Sequence, residues 1–196
     1  MSNKYAILHY TIDHFNNSNY IDATLVPFEK DFEVAYIYLT SKSLDLKKCE
    51  FKFKLNFDNW KDRHFLSNDK LWPVFSNELI EIIKKHYSKL VYFPATLIDK
   101  KGKEHSNDFC VVQIPDIEGI INYDLSIFQR DNLFPEIFSS IEKIVFNTEV
   151  TPNAIFRLHE YSQVILINNE LRNDLIKQKL SNITITDVDD YDWNSL

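Results

Sequence analysis

Phe51-Lys52-Phe53-Lys54-Leu55-Asn56-Phe57 is the stretch on which the fold turns. Apolar and polar residues alternate, so an extended chain puts Phe51, Phe53, Leu55 and Phe57 on one face and Lys52, Lys54 and Asn56 on the other. A strand with one buried and one wet face calls for a mostly antiparallel sheet, not a helical bundle. The lysines read as guards against edge-to-edge pairing, with contact to nucleic acid as the lesser alternative.

Upstream, aromatic and β-branched runs at Tyr5–Ile12, Tyr20–Val26 and Phe32–Thr40 are separated by Asn, Asp and Ser clusters, which predicts further strands. Downstream, residues 58–75 show no clear period and are expected to be a loop, with Trp60 and Trp72 tucked against the core. Ser76, after Pro73, suits a helix N-cap. Glu78 and Glu81 suit the positive end of the dipole, and Lys84, Lys85 and Lys89 the negative end. Leu79, Ile80, Ile83, Tyr87 and Leu90 then share one helical face. Val91–Ile98 reads as a strand with Pro94 in it, hence an edge strand or a bulge, and Asp99-Lys100-Lys101-Gly102-Lys103 turns it toward a partner at Phe109–Ile114. Gly119 and the aspartates around it mark an irregular stretch, and Ile141–Phe146 predicts another short strand. Val164–Ile167 reads as a strand, Asn168 or Asn169 as the cap of a helix reaching about Lys179, and Ile183–Val188 as a final strand. The expected fold class is α+β, a mostly antiparallel sheet with a few helices. Residues 1–70 form its β-rich part, packed on an α+β domain over 71–196.

The chain has 196 residues, 44% of them apolar, enough to bury a core and to rule out disorder as its main state. Charge is uneven: residues 1–103 carry 16 basic and 13 acidic side chains, whereas 104–196 carry 6 and 16, a balance of −10. An acidic second half argues against nucleic acid as a partner and suits attraction of a basic protein, although modest negative charge also simply keeps a protein soluble. Cys49 and Cys110 cannot make a disulfide framework and read as core thiols in a reducing compartment. The beginning Met1-Ser2-Asn3-Lys4-Tyr5 lacks a signal-peptide pattern, and no apolar run approaches the ~20 residues that span a bilayer. A cytoplasmic location without membrane contact is expected.

Chemistry-bearing patterns are sparse. Two glycines in the chain leave no Gly-rich phosphate loop, and there is no G-x-S-x-G elbow or H-E-x-x-H pair. His9 and His14 would face opposite sides of one strand, so no cofactor or metal is expected. His159 and Glu160, after Arg157, could in principle serve as an acid–base pair with tail aspartates in a small hydrolase. The closing segment Asp187-Val188-Asp189-Asp190-Tyr191-Asp192-Trp193 reads as a solvated tail, or as a protein-binding surface of acidic steering groups interleaved with aromatic area. The candidate partner-binding residues are therefore Asp187, Asp189, Asp190, Tyr191, Asp192 and Trp193, with Arg157, His159 and Glu160. Arg157 is expected mainly to fix a turn.

The C-terminal third carries a more specific pattern. Ile144-Val145-Phe146, Pro152-Asn153-Ala154-Ile155-Phe156-Arg157-Leu158 and Val164-Ile165-Leu166-Ile167-Asn168-Asn169-Glu170-Leu171-Arg172 follow one another and lead to an acidic last strand. Upstream stand Pro73-Val74-Phe75-Ser76 before an amphipathic helix, then Phe109–Ile114 and Asn122-Tyr123-Asp124-Leu125-Ser126. Together, over about residues 72–193 and most clearly from 135 onward, they resemble a family of bacterial immunity proteins from polymorphic toxin systems, first catalogued as a domain of unknown function. The resemblance implies a non-enzymatic protein that binds and neutralises a cognate toxin domain by direct contact. An adaptor of a toxin secretion apparatus is the alternative, and the small hydrolase a weaker one.

Overall fold

A computed structural model describes residues 4–11, 22–27 and 50–193. The strand expected at Phe32–Thr40, the first residues of that at Tyr20–Val26, His14 and Cys49 lie outside them. The described strands are β1 Tyr5–Tyr10, β2 Ala23–Leu25, β3 Phe51–Leu55, β4 Phe65–Leu66, β5 Val74–Ser76, β6 Val91–Ile98 and β7 Glu104–Gln113. They continue with β8 Asp116–Ile117, β9 Ile127–Arg130, β10 Phe138–Lys143, β11 Ile155–Leu158, β12 Tyr161–Asn168 and β13 Ile183–Asp187. Helix α1 spans Asn77–His86 and helix α2 spans Asn169–Gln178. Mostly antiparallel pairing with helices makes the fold α+β, as expected, although Phe51–Leu55 itself pairs antiparallel with β2 and parallel with β6.

The strands form a six-stranded sheet in the order β2-β3-β6-β7-β5-β4, a five-stranded sheet in the order β13-β1-β12-β11-β8, and a separate β9–β10 hairpin. Pairing is antiparallel except at β3–β6 and β8–β11. The N-terminal β1 lies between β12 and β13, in register Ile7 with Leu166 and Ile7 with Thr186, so it bridges strands more than 150 residues away in sequence. Strands from both sides of residue 70 share both sheets: β1 pairs with β12, and β3 with β6.

Alternation assigns each strand residue to a layer. In β1, Ala6 and Leu8 face the helices while Tyr5 and Ile7 face the opposite side. In β12, Ile165 and Ile167 likewise face the helices, and Val164 and Leu166 the other side. These strands are buried on both faces, which is why they read as continuous apolar runs. In the six-stranded sheet, Phe75, Cys110 and Val112 join the helix layer, whereas Phe51, Phe53, Leu55, Trp60, Trp72 and Val111 make a layer behind it. Each helix therefore packs its apolar stripe into a core shared by both sheets, built from Leu79, Ile80 and Ile83 of α1 and Leu171 and Leu175 of α2. The two helices are also tied by His86 Nε2 on Asp174 Oδ2 at 2.9 Å, with Lys177 beside it, and both partners hold the Asp174 carboxyl below its usual range.

Local chemistry sets the boundaries. The Ser76 hydroxyl accepts the Leu79 N–H at 3.2 Å, and the Asn168 side chain accepts the Leu171 N–H at 2.9 Å, so both expected caps are made. Helix α1 stops at His86, earlier than its apolar spacing suggests, and Leu90 is buried from the following turn instead. The stretch 58–75 is not all loop: β4 and β5 pair within it, at Leu66 with Val74, each too short to show a period. Trp60 and Trp72 are buried as expected. Pro94 sits in an internal strand, not an edge strand, yet β3 joins β6 only from Ala95 onward and the β6–β7 register shifts between Ala95 and Leu97. The missing donor is thus placed where the β3 ladder has not begun. The strand expected at Ile141–Phe146 runs over Phe138–Lys143, paired through two register shifts with β9, for which the sequence showed no separate signal.

Candidate partner-binding surface

The acidic tail begins as β13, which lies against β1, and continues through a short 3-10 turn at Val188–Asp190. Asp187 is gripped by the Arg172 guanidinium of α2, with Nη2 on Oδ2 at 3.1 Å and Nη1 on Oδ1 at 2.5 Å. Val188 and Trp193 turn inward, and Trp193, only 4% exposed, joins the layer behind the five-stranded sheet. Its carbonyl accepts the Tyr161 hydroxyl at 3.1 Å, and its ring meets Tyr191 edge-on at 5.2 Å. The expectation that Trp193 offers aromatic contact area to a partner is therefore corrected, because the ring is spent on anchoring the tail. What the tail shows to solvent is Asp189, Asp190 and Asp192, beside a half-buried Tyr191.

Arg157 is also interior. It pairs with Asp116, register partner on β8, through Nε at 2.8 Å and Nη2 at 2.7 Å to the same carboxylate oxygen, both side chains being almost fully buried. This clamps β8 onto the parallel β11. His159 and Glu160 make the turn between β11 and β12 and point apart. His159 is half-exposed, with Nδ1 3.9 Å from Glu118, whereas Glu160 is buried. Glu160 Oε1 accepts the Tyr123 hydroxyl, and its backbone carbonyl accepts the Phe138 N–H at 2.8 Å. Burial, reinforced by the Glu160 carboxylate, pushes the Tyr123 phenol up to about 12. Buried Arg157 and Glu160 thus hold the framework, and His159 and Glu160 engage different partners, Glu118 and Tyr123.

Glu160 leads to the feature that sequence reading missed. Of its two partners, Phe138 pairs with Arg130 at the neck of the β9–β10 hairpin, where the strands open into the loop 131–137, and Tyr123 packs edge-on beside it. There the Phe128 and Phe138 rings stack at 4.1 Å, and the Arg130 guanidinium lies 5.3 to 5.5 Å from the centroids of Tyr123, Phe128 and Phe138. A cation over three rings is attracted to their negative faces and orders the neck of the loop. Arg130 Nη1 also donates to the Pro135 carbonyl at 2.6 Å, and Asp131 Oδ1 accepts the Leu133 and Phe134 N–H groups at 2.8 and 3.0 Å. Such an Asx turn fixes the tip backbone without a covering layer. At that tip Leu133 is 82% and Phe134 56% exposed. Of the ten exposed large apolar side chains among the described residues, six lie between 123 and 137, so the exposure is a patch and not scatter. An apolar pair inside turn chemistry, Asp131-Asn132-Leu133-Phe134-Pro135, was the available signal.

A cleft of about 180 Å³ lies where the two sheets meet, walled by His9, Tyr10, Asn68, Leu71, Arg157 and Tyr191 among others. Burial pushes the His9 imidazole below its ordinary value, and its Nε2 is 2.9 Å from the Thr186 hydroxyl. None of the described residues lining the cleft is a carboxylate or a thiol. Cys110 is buried elsewhere, under the helices, where desolvation raises its thiol to about 11. Among the described residues, no group of three or more His, Cys, Asp or Glu side chains is placed to hold a metal ion, and no helix is long and apolar enough to cross a membrane.

Residues 24–194 match the model of a protein family described as Immunity protein 43. No curated protein matches the chain.

Proposed function

Since the chain belongs to the Immunity protein 43 family, we propose that it binds a cognate bacterial toxin domain directly in the cytoplasm and neutralises it by occlusion, without catalysis of its own. The family match over residues 24–194 is the observation that carries this reading. An acidic C-terminal half, with Asp189, Asp190 and Asp192 at the surface, supports a basic partner drawn in by charge. An interface of roughly 1,600 Å² would suffice for a stable pair.

The test is to co-express the C-terminal domain of the protein encoded next to this chain, with and without it, and to score growth. Toxicity relieved by the wild-type chain is the expected result; toxicity that persists at equal expression would refute the reading. Within a complex that forms, Asp189→Lys with Asp190→Lys should slow association at low salt by on the order of tenfold and leave folding unchanged. Unaltered association kinetics would remove the tail from the interface.

A further inference from the structure

We infer that the tip of the β9–β10 hairpin, with Leu133 and Phe134 at its end, inserts into an apolar cleft rimmed by Lys and Arg on the toxin domain. This inference rests on the binding function proposed above and deepens it. Exposed apolar area costs solubility, and it concentrates here on a loop whose backbone is already fixed by Asp131 and Arg130. Preorganisation spares the ordering entropy that a floppy loop would lose on binding, so the two side chains can act as anchors.

Charge selects the occupant. Residues 123–143 hold four acidic side chains, Asp124, Asp131, Glu136 and Glu142, against two basic ones. Arg130 is engaged over three rings at the neck, Glu136 is exposed in the loop itself, and Asp124, Glu142 and Lys143 are exposed nearer the other end of the hairpin, which leaves the segment net negative. A second copy of this chain would bring the same net negative segment and acidic second half against itself, and an anionic membrane or a nucleic acid would be repelled in the same way. A basic-rimmed cleft on a protein satisfies both the apolar tip and the net negative segment that carries it.

The experiment titrates the chain against the same toxin domain by calorimetry, with thermal unfolding as a control. Leu133→Ser with Phe134→Ser should weaken binding by about 30-fold or more, the scale of an interface anchor. Glu136→Lys should weaken it several-fold, more at low salt than at high. Leu71→Ser, an equally exposed apolar residue elsewhere, should change nothing. If the wild-type chain binds and protects while the double variant binds equally well, the hairpin inference is overturned and the immunity reading stands. If the wild-type chain does not bind at all, both fall. If the double variant abolishes self-association or binding to phosphatidylserine vesicles without affecting the toxin domain, the tip serves another surface and the inference is likewise overturned.

Discussion

The turn joining β11 to β12 and the hairpin that rests on it treat the same residue types in opposite ways. Around Arg157–Glu160 charges go inside, where a guanidinium and a carboxylate meet at 2.7 Å and a second carboxylate takes a phenol. In the hairpin the apolar side chains go outside, and charge serves to stiffen the backbone that carries them. Buried ions are tolerated when paired, so the Arg157–Asp116 clamp reads as architecture, whereas Glu160 is held through Oε1 alone and its Oε2 is buried without a hydrogen-bond partner among the described residues. An exposed Leu-Phe pair on a rigid tip gains nothing for the fold, so the second reads as contact surface. Glu160 connects the two, its side chain bonded to Tyr123 and its carbonyl to Phe138 at the neck of the hairpin loop.

The strongest break of this contrast is Arg157→Leu. It leaves Asp116 buried without its guanidinium and should cost about 3–5 kcal/mol in urea unfolding. Adding Asp116→Leu should recover most of the loss, because two apolar residues leave no stranded charge. A single variant as stable as the wild type would mean that the pair is not an architectural clamp. The intermediate effect is at the link. Tyr123→Phe removes a hydrogen bond to a buried carboxylate and should cost about 1.5–3 kcal/mol. Faster amide exchange should be confined to β9 and β10, and uniform acceleration through both sheets would contradict the placing of Glu160 as the hairpin's anchor. The smallest effect belongs to the tip, where Leu133→Ser with Phe134→Ser should leave stability within about 0.5 kcal/mol of wild type. A large loss there would show that the tip packs against the fold and is not held out for a partner.

What the sequence made legible follows the range of the interactions involved. Phe51–Leu55 announces its buried face because alternation is local, and Ser76 and Asn168 announce their helices because capping spans three residues. The insertion of β1 between β12 and β13 is invisible at that range, since strand neighbours chosen across 150 residues leave no local trace. β4, β5 and β8 are two or three residues long and show no period. Trp193 misled because an aromatic among aspartates suggests a wet surface, while its partner Tyr161 lies 32 residues upstream. The hairpin was missed because register shifts break the alternation of β10. The resemblance read from residue 72 onward was nonetheless to an immunity-protein family, and the match extends it back to residue 24, across β2 and β3.

The most direct measurement is hydrogen exchange of the chain, alone and with the domain whose toxicity it relieves in the co-expression test. The account predicts slowed exchange at the amides of residues 131–137 on the hairpin tip and no change at Ile155–Leu158, already protected in the core. Exchange unchanged everywhere would contradict direct binding, and protection that spares the tip while appearing elsewhere would contradict the division of labour between these two regions.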